Sequence, residues 1–230
     1  MKFQSLREAV CAANLELVAR GLVTYTWGNV SGIDRQAGVV AIKPSGVEYD
    51  ALTPDKIVLL GLDGTLLEPC LRPSSDTPTH LELYRAFPGL GGIAHTHSLF
   101  ATAFAQACRP LPCFGTTHAD HFHGAVPVTR KLTAAEVAGV YEANTGKVII
   151  ETFAGTDPLD LPAVLVAGHG PFTWGTTPAA AAANSVVLET VAHLALGTLQ
   201  LNPALPPIAD YLLDRHFRRK HGPSAYYGQP

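Results

Sequence analysis

Gly92-Ile93-Ala94-His95-Thr96-His97-Ser98 places two histidines one residue apart at the end of an apolar run. If Ile93 to His97 is a β-strand, side chains alternate between its faces. Both imidazoles then emerge on one side, close enough to grip one metal ion. Zinc in a catalytic site typically takes three protein ligands and leaves a fourth position open, so the rest of the shell must lie elsewhere in the chain. His169 is the leading candidate. It ends a second apolar run, Ala163-Val164-Leu165-Val166-Ala167-Gly168-His169-Gly170, whose glycines let the backbone crowd a site. Asp76 offers a carboxylate oxygen. A bare pair of this kind is as often two hydrogen-bonded core histidines, so the surrounding motifs decide between the readings.

The chain has 230 residues, of which 47% are hydrophobic and only 15% charged, enough to bury a large core as one domain over 1–230. A formal net charge of -3, with 16 basic and 19 acidic residues scattered evenly, leaves no electrostatic footprint for nucleic acid or an anionic membrane. No apolar stretch reaches membrane-spanning length, and Met1-Lys2-Phe3-Gln4-Ser5 lacks the hydrophobic core of a secretory signal, so a cytoplasmic protein is expected. Cys11, Cys70, Cys108 and Cys113 have neither metal-binding spacing nor disulfide-scaffold density and read as reduced thiols, with a Cys108–Cys113 pairing left open.

Ser5-Leu6-Arg7-Glu8 has the form of a capping box, and apolar residues recur at helical spacing from Leu6 to Leu17 until Gly21 stops the helix. Strands are expected at 29–33, 39–43 and 57–62, the last turning through Asp63-Gly64 into 65–67. A helix at 80–87 follows Pro78, and another spans 99–107. Thr133-Ala134-Ala135-Glu136 caps a helix running to about Thr145, and 148–153 reads as a strand. Thr177-Pro178 opens a long alanine-rich helix to about Leu199, too apolar all round to be exposed, and a last helix covers about 208–221. Strands and helices therefore interleave around one sheet.

Beyond the His-x-His pair, six segments resemble a known family. They are Thr26-Trp27-Gly28-Asn29-Val30-Ser31, Ile42-Lys43-Pro44-Ser45-Gly46, Pro73-Ser74-Ser75-Asp76-Thr77-Pro78-Thr79-His80, Gly115-Thr116-Thr117-His118-Ala119-Asp120, Arg219-Lys220-His221-Gly222 and Ala225-Tyr226-Tyr227-Gly228-Gln229. Together they are similar, nearly end to end, to the L-ribulose-5-phosphate 4-epimerases of the class II aldolase/epimerase superfamily. Asp76, the Thr-Thr-His-Ala-Asp segment and the Tyr-Tyr-Gly-Gln ending favour that branch over the fuculose-phosphate aldolases, which carry glutamate at the position of Asp76.

The resemblance implies a three-layer α/β/α sandwich around a mixed, mostly antiparallel sheet, a C4 homotetramer, and a site between neighbouring subunits. It implies epimerisation at C4 of L-ribulose 5-phosphate in L-arabinose breakdown, with an ascorbate-type route open. Zinc on His95, His97, His169 and Asp76 would be the cofactor; such ligands also accept Mn²⁺ or Co²⁺. Asp120 and Tyr227 would carry the proton transfers from a neighbouring subunit. Gly28, Asn29, Lys43, Ser45, Gly46, Ser74 and Ser75 would bind substrate and its phosphate, with His216 on the last helix a supporting polar contact near the site and Arg219 reaching in from the neighbour. Read alone, Asp76 is equally a helix N-cap, Asp120 a turn residue and Tyr227 a tail residue. Two departures stand out: Ala167 replaces a histidine of the family pattern, and His121 and His123 replace tyrosines, creating a competing cluster with His118 and Asp120. A class II sugar-phosphate aldolase and a metal-free, adducin-head-like interaction module are the rival readings.

Overall fold

The computed structural model describes residues 2–69, 71–223 and 225–227; Cys70 and the Gly228-Gln229 end of the tail motif lie outside them. Six strands form one sheet: β1 (Asn29–Asp34), β2 (Val39–Ile42), β3 (Val58–Gly61), β4 (Gly92–His95), β5 (Ala163–Leu165) and β6 (Pro171–Gly175). Their order is β3-β2-β1-β4-β6-β5, and every ladder is antiparallel. The sheet is therefore antiparallel rather than mixed; the one parallel pairing, an isolated bridge between Val128 and Leu165, involves no further strand.

Alternation along the strands sorts side chains into two layers. Val40, Ile42, Val58, Leu60, Ile93, Phe172 and Trp174 face a core closed by Leu81, Leu83 and Tyr84 of α2 (Thr77–Ala86) and by Ile149 of α6 (Tyr141–Thr152). On the opposite face, Val30 and Ala94 meet Ala13 and Leu17 of α1 (Gln4–Ala19) and Ala181 and Ala182 of α7 (Pro178–Leu201). Helices thus cover both faces, as the sandwich reading requires. Asn14 of α1 completes the layer: its side-chain amide donates to the Val30 carbonyl at 3.0 Å and its oxygen accepts from the Val30 amide at 2.8 Å, satisfying backbone that β2 does not reach.

Several local expectations are corrected. Residues 148–153 are not a strand but lie mostly in α6, because α5 (Ala134–Ala138) ends at Gly139 and a new helix starts at Tyr141. The α5 capping box forms, with Thr133 and Glu136 in reciprocal bonds, whereas the box expected at Ser5 does not, since the N-cap of α1 is Phe3, two residues before Ser5. The third strand does turn back through Asp63-Gly64, but 65–67 pair only through the Leu60–Leu66 bridge and its flanking backbone bonds. A further single-turn helix, α4 (Thr116–Ala119), and the final α8 (Asp210–Lys220) complete the set used below, with α3 at Leu99–Gln106.

α7 corrects the reading that no stretch reaches membrane-spanning length: at 24 residues and a mean hydropathy of 1.4 it passes by length and composition. Its apolarity has a nearer cause. Ala181, Ala182, Ser185, Leu188, Val191, Ala192 and Ala195 are buried, and the helix packs on β1, β4, β6, α1 and α3. Cys11, Cys108 and Cys113 are free thiols, so the Cys108–Cys113 pairing is not formed.

Candidate active site

β4 stops at His95, one residue pair short of the expected strand, and His97 lies just beyond its end. The two rings meet all the same, Nε2 to Nε2 at 3.1 Å. His169 enters from the turn joining β5 to β6. There Val166 and His169 close backbone bonds across the loop and Gly168 takes φ +74°, a conformation that side chains resist, so the chain reverses within five residues. Because β6 pairs with β4, this turn lies beside the end of the His95 strand. Potential ligand atoms of His95, His97 and His169 all lie within 4.8 Å of one another.

This donor set fits a divalent metal. Two imidazole nitrogens on one tetrahedral zinc, each about 2.0–2.1 Å from it, would be about 3.3 Å apart, near the His95–His97 spacing. The His95 Nδ1 lies 2.9 Å from the Pro171 carbonyl and donates to it, which leaves the Nε2 lone pair facing the triad. Burial, reinforced by the neighbouring imidazoles, pushes His169 down to about 4 and lowers His97 as well, so both rings present neutral nitrogens near pH 7.

Asp76 occupies the N-cap position of α2 but makes no capping bond. Its carboxylate instead accepts from the Asn29 side-chain amide at 2.6 Å. Burial pushes its pKa up, but the neighbouring His95 and His80 rings and the Asn29 bond outweigh that, holding it below the usual carboxylate range. Behind it, His80 is fully buried with Nδ1 2.7 Å from the Ser31 hydroxyl.

His95, His97, His169, Asp76 and Asn29 line one cavity of about 550 Å³. Its other wall holds Gly28, Asn29, Lys43, Ser45, Gly46, Ser74 and Ser75, each named from the sequence as a substrate contact. Two loops are stitched together there. The Ser45 amide donates to the Arg72 carbonyl at 2.9 Å and the Ser74 amide to the Lys43 carbonyl at 3.0 Å. Lys43 is 1% exposed, and among the described residues it forms no ion pair. A buried cation beside hydroxyls and loop amides is suited to a small anion. Sequence reasoning did not name Thr26, Trp27, Tyr141 and Glu142 as site residues, yet they line the cavity too. Tyr141 and Glu142 open a helix whose start left no local signal, and Trp27 is half exposed at the mouth.

Asp120, His216, Arg219 and Tyr227 do not line this cavity; they form a second cluster of their own between α4 and α8. Asp120 is bound by Arg219 and His216, and the Tyr227 ring lies under the Arg219 and Lys220 cations, 4.8 and 4.5 Å from its centroid. The competing histidine cluster does not assemble: His118 bonds the Gly124 carbonyl, His121 faces Lys220 and His123 pairs with Asp214.

Residues 8–196 match the family described as Class II Aldolase and Adducin N-terminal domain. The chain is 55% identical to L-ribulose-5-phosphate 4-epimerase UlaF of Salmonella paratyphi B over 226 residues, 98% of this chain and 99% of that protein. The protein of the same name from Salmonella typhi is 54% identical with the same coverage. Among solved structures, an L-fuculose 1-phosphate aldolase shares the fold with a TM-score of 0.78 at 24% identity, covering 95% of this chain and 97% of that one. L-fuculose-1-phosphate aldolase from Thermus thermophilus gives 0.68 at 25% identity, covering 87% and 98%. A histidine triad set at the end of this sheet, on a chain matched so fully, belongs to the class II aldolase and adducin N-terminal domain family.

Proposed function

We propose that the chain is a metal-dependent L-ribulose-5-phosphate 4-epimerase forming D-xylulose 5-phosphate, as the resemblance to enzymes of that name suggests. One observation carries the reading beyond resemblance: the histidine triad and the Lys43 and Ser74 loops open into the same cavity. A polarising centre and an anion seat at one site suit a phosphorylated ketose.

Inverting C4 of a 2-ketose cannot proceed by deprotonation at C4, because that hydrogen is β to the carbonyl and the anion would have no resonance sink. The C3–C4 bond breaks instead. Its electron pair stays on C3 as the enediolate of dihydroxyacetone, the C4 hydroxyl loses its proton, and C4 becomes the aldehyde carbon of glycolaldehyde phosphate. Rotation of the aldehyde and re-addition invert the centre. A divalent metal, zinc by our reading and replaceable by Mn²⁺ or Co²⁺, would be held by His95, His97, His169 and Asp76 and would supply Lewis-acid polarisation of the C2 and C3 oxygens.

The residues of the chain do the rest. Lys43, Asn29 and the 45–46 and 74–75 segments hold the phosphate, so the aldehyde fragment stays bound while it turns. Asp120 and Tyr227 move the C4 hydroxyl proton, one on each face of the aldehyde, and we assign them to a neighbouring subunit of a homotetramer. Their separation from the cavity within one chain supports that assignment. Arg219 and His216 enter with them. L-arabinose breakdown is the pathway we attach to this activity.

Incubating the zinc-loaded protein with L-ribulose 5-phosphate should yield D-xylulose 5-phosphate without accumulation of fragments. Release of dihydroxyacetone phosphate and lactaldehyde from L-fuculose 1-phosphate, with no pentulose epimerised, would assign the chain to the aldolases. Inertness toward both in metal-loaded protein would favour the interaction-module reading.

A further inference from the structure

Tyr49 begins a short 3-10 turn, Tyr49–Ala51, just after the Lys43–Gly46 loop, and is 6% exposed. Its hydroxyl donates to the Gly28 carbonyl at 2.9 Å. Its ring face lies 4.6 Å from the Lys43 ammonium. One side chain therefore touches both loops that form the anion end of the cavity.

Each contact answers a need of its partner. Gly28 has φ +104°, and a Cβ there would lie 2.8 Å from the His95 carbonyl, so this stretch is pressed against the β4 end and has little intrinsic preference for its shape. A bond to its carbonyl fixes it. Lys43 is buried, and burial lowers its pKa. Two of its protons are directed to the Val47 carbonyl at 2.7 Å and the Pro44 carbonyl at 3.4 Å. The π-face favours the charged ammonium without supplying a carboxylate that would compete with an incoming anion. Burial also raises the pKa of the Tyr49 hydroxyl, so it stays a protonated donor.

We infer that Tyr49 is a positioning residue for phosphate binding, holding the Lys43 ammonium and the Gly28–Asn29 backbone in the arrangement a phosphate dianion requires. The inference rests on the reading of Lys43 as a phosphate ligand. Tyr49 does not itself line the cavity, so its effect passes through the two loops.

The test compares Tyr49→Phe, Tyr49→Leu, Lys43→Met and the Tyr49→Leu/Lys43→Met double variant in the zinc-loaded full chain. KM and kcat for L-ribulose 5-phosphate are measured with the inhibition constant of inorganic phosphate and the metal content. Tyr49→Phe keeps the ring face and should raise both KM and the phosphate constant about two- to fivefold, the worth of one neutral hydrogen bond. Tyr49→Leu loses both contacts and should raise them about tenfold or more, with kcat within about twofold and metal content unchanged. In the double variant the part of the Tyr49→Leu effect that passes through Lys43 should disappear, leaving about the two- to fivefold effect that passes through the Gly28 carbonyl. If Lys43→Met raises the phosphate constant while both Tyr49 variants leave it unchanged, or if the effects add in full, the positioning role is overturned and the phosphate reading stands. If Lys43→Met leaves that constant unchanged, the phosphate reading falls and the role of Tyr49 falls with it.

Discussion

Arg219 holds the Asp120 carboxylate in a two-pronged grip, Nε 2.8 Å from one oxygen and the Nη2 nitrogen 2.6 Å from the other, while His216 Nδ1 sits 3.0 Å from the first. Burial alone would raise the pKa of Asp120. The Arg219 and His216 bonds and the Lys220 charge reverse that, and the carboxyl stays ionised below its usual range. In the proposed role this ionised form is the one that accepts the C4 hydroxyl proton, although the lowered pKa makes it a weak base. Asp120→Asn should therefore lower kcat by roughly 10²–10⁴-fold. The same change weakens a partly buried charged bond and should cost about 1–3 kcal/mol in urea unfolding. A variant with wild-type kcat would remove Asp120 from the chemistry.

His97→Asn tests the triad. The variant should bind zinc more weakly and turn over more slowly while its far-ultraviolet circular dichroism stays unchanged, since the core lies in the two layers rather than at the site. Zinc content equal to wild type after dialysis would place His97 outside the ligand set.

Acid should destabilise the metal-free protein before its carboxylates titrate. Burial, ahead of any neighbouring charge, pushes His169 and His118 down to about 4 and His80 to about 3. In the unfolded chain the same imidazoles titrate near pH 6.5. Between those values the unfolded state binds more protons, so stability rises with pH. It is complete above about pH 6.5 and is lost as pH falls toward 4 and below. Thermal unfolding from pH 8 to pH 4 should show a falling Tm beginning near 6.5; a Tm flat down to pH 5 would mean that these histidines are not held neutral.

Much of this arrangement was readable in the chain. The short strand candidates at 29–33, 39–43 and 57–62 became β1, β2 and β3, and Thr177-Pro178 opened α7, with the Thr177 side chain accepting from the Ala180 amide. The His-x-His spacing and His169 were legible because chelating residues interrupted apolar runs. What could not be read followed from tertiary contact. Val148-Ile149-Ile150 is β-branched and locally strand-like, yet Val148 and Ile149 are buried within α6, which packs along α2, and that burial overrides propensity. The clasp of Asn29 on Asp76 joins residues far apart in the chain and has no local signature. Pro171–Gly175 was hidden as a strand because the apolar run before it appeared to end at His169.

Tyr227 sits with Asp120 and away from the triad, which permits a complementation test. Tyr227→Phe and His97→Asn proteins should each be nearly inactive alone, with Tyr227→Phe retaining wild-type metal content. Mixed and reassembled, they should regain part of the activity, because some interfaces then join an intact metal half to an intact proton-transfer half. Mixed tetramers verified by native mass spectrometry but no more active than the parents would refute the shared site.

Asn29, His95, Phe172 and Val164 stand opposite one another in a single row across β1, β4, β6 and β5. His95 stacks on Phe172 at 4.2 Å, and Asn29 reaches from the same row to Asp76. Moving β4 by one residue would turn His95 to the α1–α7 face and put Ala94 or Thr96 in its place. A mispaired sheet would therefore have no partial version of this centre. Assembly of the proposed metal-binding nitrogens is then a report on strand alignment, and zinc uptake during refolding should appear together with the last correct pairing rather than before it.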